Sequence, residues 1–175
     1  MAPSVWWQLP GPREFVEALV DDLREGRQVV VLLPEHGPQN HGLLAALREA
    51  WRDDGSIDSL AVTPEQTALE ALMERYQLPR GAQPTPHALL ETPGFRGRVL
   101  WIEGLDEKSW ASWSDFLSEY QHLARNTSLV DRTVFIAPVV GEATRTTIAA
   151  DVGWRCAAGT ISPTGPTCCS SRCTR

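Results

Sequence analysis

Val99-Leu100-Trp101-Ile102 is an unbroken run of four apolar residues that ends in a carboxylate, Glu103. A strand with one wet face alternates apolar and polar residues, so a continuous run of this kind marks a strand covered on both faces. Residues 28–33 and 133–140 read the same way, and Ile57 to Val62 is a further strand. Between these runs the apolar period changes to that of a helix. Phe15, Val16, Leu19, Val20 and Leu23 form one stripe, predicting a helix from Pro12 to Glu25 with Gly26 just past its end. Leu43, Leu44, Leu47 and Trp51 form a second stripe over residues 42–53. Ala68, Leu69, Leu72, Met73 and Tyr76 form a third, in a helix expected to start at Pro64. A short helix fits between the Pro- and Gly-rich loop 79–86 and the turn 91–94, and a long one runs from about Ser109 to Arg125 with Trp113, Phe116, Leu117, Tyr120 and Leu123. This alternation predicts an α/β fold: a mainly parallel sheet flanked by helices on both faces.

The chain has 175 residues, 42% of them hydrophobic and 22% charged, which suits one globular domain with a real core. Its apolar runs are strand-sized, short of the roughly 20 residues that span a bilayer. The start, Met1 to Trp7, lacks the basic-then-apolar layout of a signal peptide. The expectation is a cytoplasmic protein without a membrane segment. A net charge of −6 disfavours direct nucleic-acid binding over a broad face.

From Trp154 the composition changes. Residues 154–175 contain no acid, no Leu and no Phe, and hold all four cysteines: Cys156, Cys168, Cys169 and Cys173. Their spacing matches no usual zinc pattern. Read back through GC-rich codons and shifted by two nucleotides, one permitted choice ends in Met-Leu-Leu-Phe-Thr-Leu-His-Pro, which reads like folded protein. Residues 1–153 are therefore expected to form the domain. Residues 154–175 are expected to be a frameshift product and disordered, with a genuine disordered Cys-bearing tail as the alternative.

In open α/β sheets ligands bind outside the C-terminal ends of the strands. The strand 98–103 delivers Glu103 to that edge, followed by Asp106 and Glu107, and a carboxylate there can hold a Mg²⁺ bound to phosphates. The plain alternative is a solvated loop that begins a helix, with Asp106 near its N-terminus. The loop after residues 28–33 runs from Pro34 to Gly42 and contains no Gly-Lys-Ser/Thr, so it lacks the lysine that reaches β/γ-phosphates and the hydroxyl that binds Mg²⁺. Gly37 and Gly42 can still form a backbone nest at the start of the next helix, with His36, Asn40 or His41 as partial substitutes. Two histidines in a Gly/Pro loop also read simply as exposed polar residues.

The order strand, loop, helix, strand, helix, acidic strand, helix, strand resembles a P-loop NTPase of the AAA/STAND type over roughly residues 10–150. Leu100-Trp101-Ile102-Glu103-Gly104-Leu105-Asp106-Glu107 is similar to the Walker B pattern of the NACHT/STAND branch. The resemblance implies a three-layer sandwich. It also implies a metal-associated role for Glu103, where the family has Asp, catalytic roles for Asp106 and Glu107, and a phosphate contact for Arg145. The strand 133–140 carries no polar sensor residue. Small P-loop-like accessory proteins of the BREX phage-exclusion systems have similar length and layout.

With seven Trp in the chain, Trp6, Trp7 and Trp110 are candidate interface anchors, whereas Trp51 and Trp101 lie on core stripes. Three functions follow as expectations. The first is a degenerate P-loop NTPase-like regulatory or assembly subunit that binds a larger ATPase or DNA-processing partner, in phage defence, with ATP/Mg²⁺ bound weakly or not at all and no enzymatic activity of its own. The second is an active Mg²⁺-dependent ATPase with a variant phosphate loop. The third is a self-associating scaffold.

Overall fold

The computed structural model describes residues 9–27, 29–33, 42–77, 85–126, 133–140, 155–158, 161–162 and 165–166. Its elements are α1 (Pro10–Arg24), β1 (Val29–Leu33), α2 (Leu43–Trp51), β2 (Ile57–Ala61), α3 (Ala68–Tyr76), α4 (Pro86–Glu91), β3 (Val99–Glu103), α5 (Glu107–Asn126), β4 (Val134–Val140), β5 (Arg155–Ala158), β6 (Ile161–Ser162) and β7 (Gly165–Pro166). The first five strands lie in the order β2-β3-β4-β1-β5, and every pairing among them is parallel. The chain is thus α/β with a parallel sheet, as the apolar runs predict. Among the described residues no helix is long and apolar enough to cross a membrane.

Adjacent residues of a strand point to opposite faces, and the core divides accordingly. Leu100 and Ile102 of β3 and Phe135 and Ala137 of β4 join a cluster with Leu72 of α3, Leu89 of α4 and Trp113, Phe116 and Tyr120 of α5. Val99, Trp101, Val134 and Ile136 join a separate cluster with Leu19 and Leu23 of α1 and Leu43, Leu47 and Trp51 of α2. The first cluster is rich in aromatic edge-to-face contacts: the Phe95 ring meets Tyr76 at 5.2 Å and Tyr120 at 5.8 Å between centroids. The chain between α1 and β1 is held by a buried carboxylate, since Arg27 donates to Asp22 Oδ1 at 2.9 Å and the Arg27 amide to the Asp22 carbonyl at 2.9 Å.

Two boundaries differ from the sequence expectation for a local reason. The third helix begins at Ala68 and not at Pro64, because Thr67 and Glu70 form a capping box: the Glu70 amide reaches Thr67 Oγ1 at 3.3 Å and the Thr67 amide reaches Glu70 Oε2 at 2.9 Å. Pro64 lies in the turn before it. The last long helix begins two residues before Ser109, where Asp106 caps it. The described residues of 154–175 form β5 beside β1, from Val29↔Arg155 to Leu32↔Ala158, and the short antiparallel pair β6 and β7. The backbone groups along the outer edge of β1 need partners whatever the side chains opposite, so a stretch without apolar pattern can still add there.

Candidate functional site

The site expected at the C-terminal edge of the sheet is built on the end of β3. Trp101 and Glu103 are two residues apart and therefore share a face, and the Trp101 indole donates its Nε1–H to Glu103 Oε1 at 2.9 Å. The indole is buried while the carboxylate is exposed, so a core side chain fixes where this acid stands. Glu103 also closes the ladder to β2 through its carbonyl, which accepts from the Val62 amide at 2.8 Å.

Gly104 follows with φ of 84°. A Cβ here would lie 2.9 Å from the Val62 carbonyl oxygen, so both the backbone conformation and the close approach of the neighbouring segment require glycine. The turn it makes sends Leu105 into the core and brings Asp106 to the start of α5.

Asp106 is engaged as a helix cap. Its Oδ1 accepts from the Ser109 amide at 2.7 Å, the Lys108 amide at 3.0 Å and the Ser109 hydroxyl at 2.9 Å, while the Asp106 amide donates to Ser109 Oγ at 3.0 Å. The Ser109 backbone bond, with the Ser109 hydroxyl second, holds the Asp106 carboxyl below its ordinary value of 3.8. Glu107 is the first residue of α5; its side chain lies outside the described residues. Asp106 Oδ1 thus turns into its own helix, and Glu103 stands at the strand end, held by the Trp101 indole. Among the described residues no set of three His, Cys, Asp or Glu side chains could hold a metal ion.

β1 ends at the same edge as β3, with β4 between them. At about 4.8 Å per strand spacing, the backbones of β1 and β3 are roughly 10 Å apart, and β4 fills the space between them. Of the loop after β1, Gly42 is described: φ of 87° puts it in the left-handed region at the start of α2, where no side chain among the described residues caps the helix. His36, Gly37, Asn40, His41 and Arg145 lie outside the described residues, as do Trp6 and Trp7. Trp110 is corrected as an interface anchor. It is 2% exposed and packed in the cluster of α3, α4 and α5, because the turn at Gly104 points the first coil of α5 inward. Trp113 is buried beside it, and its Nε1 has no hydrogen-bond partner among the described residues.

Sequence reasoning did not single out Ser109 or the Trp101–Glu103 bond. Both had a signal: Asp106 and Ser109 stand at the spacing of a reciprocal cap, and Trp101 precedes Glu103 by two residues on a strand. No protein-family model matches the chain, and neither does any curated protein.

Proposed function

We propose that this chain is a degenerate P-loop NTPase-like domain, a three-layer sandwich, that serves as a regulatory or assembly subunit of a larger ATPase or DNA-processing partner in phage defence, in the cytoplasm. The observation that carries the reading is the use made of the acids at the sheet edge. Asp106 Oδ1 is taken up by the cap of α5 and Glu103 is tied to a core indole, so the acidic segment shapes the β3–α5 turn. The loop after β1 brings no lysine and no Ser or Thr to compensate. Parallel strand order with β1 and β3 opening on one edge supports the P-loop-like architecture. ATP and Mg²⁺ then bind weakly or not at all.

One observation favours the second reading, an active ATPase with a variant phosphate loop. Gly42 starts α2 in a left-handed conformation, with no capping side chain among the described residues, on the same sheet edge as Glu103, and backbone amides in that setting attract phosphate. Turnover separates the two. The regulatory reading predicts no Mg²⁺-dependent ATP hydrolysis by the isolated chain and no change in Glu103→Gln. A measurable turnover that Glu103→Gln abolishes would instead establish the second.

A further inference from the structure

β2 ends the five-stranded sheet on one side. Among the described residues it pairs with β3 alone, so one row of its backbone groups points away from the sheet. Hydrogen bonds identify that row. The Val62 amide donates to the Glu103 carbonyl at 2.8 Å, so Val62 faces β3, and alternation along the strand places Asp58 and Leu60 with it. Ile57, Ser59 and Ala61 therefore turn their N–H and C=O groups outward. Such an edge is a template for another strand. Ser59 and Ala61 are exposed, small and uncharged, so neither side chain obstructs a pairing. Asp58, the charged residue of the strand, is engaged on the other face: its Oδ2 accepts from the Tyr76 hydroxyl at 3.1 Å, and Arg75 Nη2 lies 3.8 Å from its Oδ1.

The Arg48 side chain crosses this edge from α2. Its Nε donates to the outward carbonyl of Ile57 at 3.1 Å and its Nη2 to Ser59 Oγ at 3.3 Å, so it occupies an acceptor that an added strand needs. We propose that Arg48 guards the open edge of β2, and that the strand it holds off is β2 of a second copy of this chain. The outward row is self-complementary. An antiparallel pair centred on Ser59 sets Ser59 against Ser59, Ile57 against Ala61 and Asp58 against Leu60. The outward groups of the two strands then match, small side chains meet at the centre, and no like charges stand opposite. In that pair the Ile57 carbonyl of each copy accepts from the Ala61 amide of the other. Those two carbonyls are the ones that the Arg48 guanidinium groups cover.

Sedimentation of the full chain from micromolar to millimolar concentration tests this, together with amide exchange at Ser59. Wild type is expected to keep the mass of one chain, whereas Arg48→Ala moves towards twice that mass at concentrations at least about tenfold below any association of wild type. In the associated variant the Ser59 amide is expected to exchange about a hundredfold more slowly than in wild type. Ser59→Pro removes an outward N–H that the β2–β3 ladder does not use, and added to Arg48→Ala it is expected to restore the mass of one chain. An Arg48→Ala protein that stays at one chain with a fast-exchanging Ser59 amide would overturn the proposal, as would association that survives Ser59→Pro. A wild-type protein already paired, with its Ser59 amide protected, would overturn it too, since Arg48 would then guard nothing. If Arg48→Ala does not fold, Arg48→Met keeps the aliphatic stem without the donors and decides by the same readings.

Discussion

Gly104 is the residue on which the geometry of the acidic segment depends. Its left-handed φ and the 2.9 Å that a Cβ would leave to the Val62 carbonyl make any side chain there costly. Gly104→Ala is expected to lower stability by about 1–3 kcal/mol and to disturb the Trp101–Glu103 bond. Thermal unfolding with Trp101 indole NMR checks this, and a variant that melts with wild type and keeps the indole resonance would refute the geometry. Glu103 was legible in the sequence because a carboxylate at the end of a buried apolar run has few places to go. What held it was signalled only by the two-residue spacing that puts Trp101 and Glu103 on one face of a strand. Trp110 was misread for a related reason, since its side depends on the turn at Gly104.

Among the elements, α5 shows how an acid with a catalytic look serves a helix. A cap carboxylate whose pKa is depressed in the folded state contributes stability that is present above the ordinary Asp range and is lost as pH falls through the lowered folded value. Asp106→Ala is therefore expected to lower the melting temperature at neutral pH, with the difference from wild type shrinking in acid. Asp106→Asn keeps an acceptor at the cap, retains most of the stability at neutral pH and removes this contribution to acid sensitivity. Melting curves from pH 7 to pH 3 read all three proteins. An Asp106→Asn variant as unstable as Asp106→Ala would mean that charge, and not capping, is what α5 uses. The helices themselves were readable from their stripes, and the starts of α3 and α5 moved because Thr67–Glu70 and Asp106–Ser109 caps override the Pro and Ser positions that suggested boundaries. The strand β5 had no readable pattern. Its position follows from the open edge of β1 and not from Arg155, Cys156, Ala157 and Ala158 themselves.

For the whole molecule, the parallel order β2-β3-β4-β1-β5 brings the ends of β1, β4 and β3 to one edge, and the two core clusters assign α1 and α2 to one and α3, α4 and α5 to the other. The apolar runs and stripes predict the parallel α/β arrangement, because burial sets both periods, whereas the strand order and the division of the helices emerge only from the pairing and packing. The proposed function rests on finer matters: a loop without lysine and an acid spent on a cap. Isothermal titration of ATP and ADP, each with and without Mg²⁺, into tens of micromolar protein tests the regulatory reading most directly. The account predicts no saturable heat in that range and no thermal stabilisation by either nucleotide. Saturable, Mg²⁺-dependent binding at micromolar ligand would contradict it and make the loop after β1 a working phosphate site.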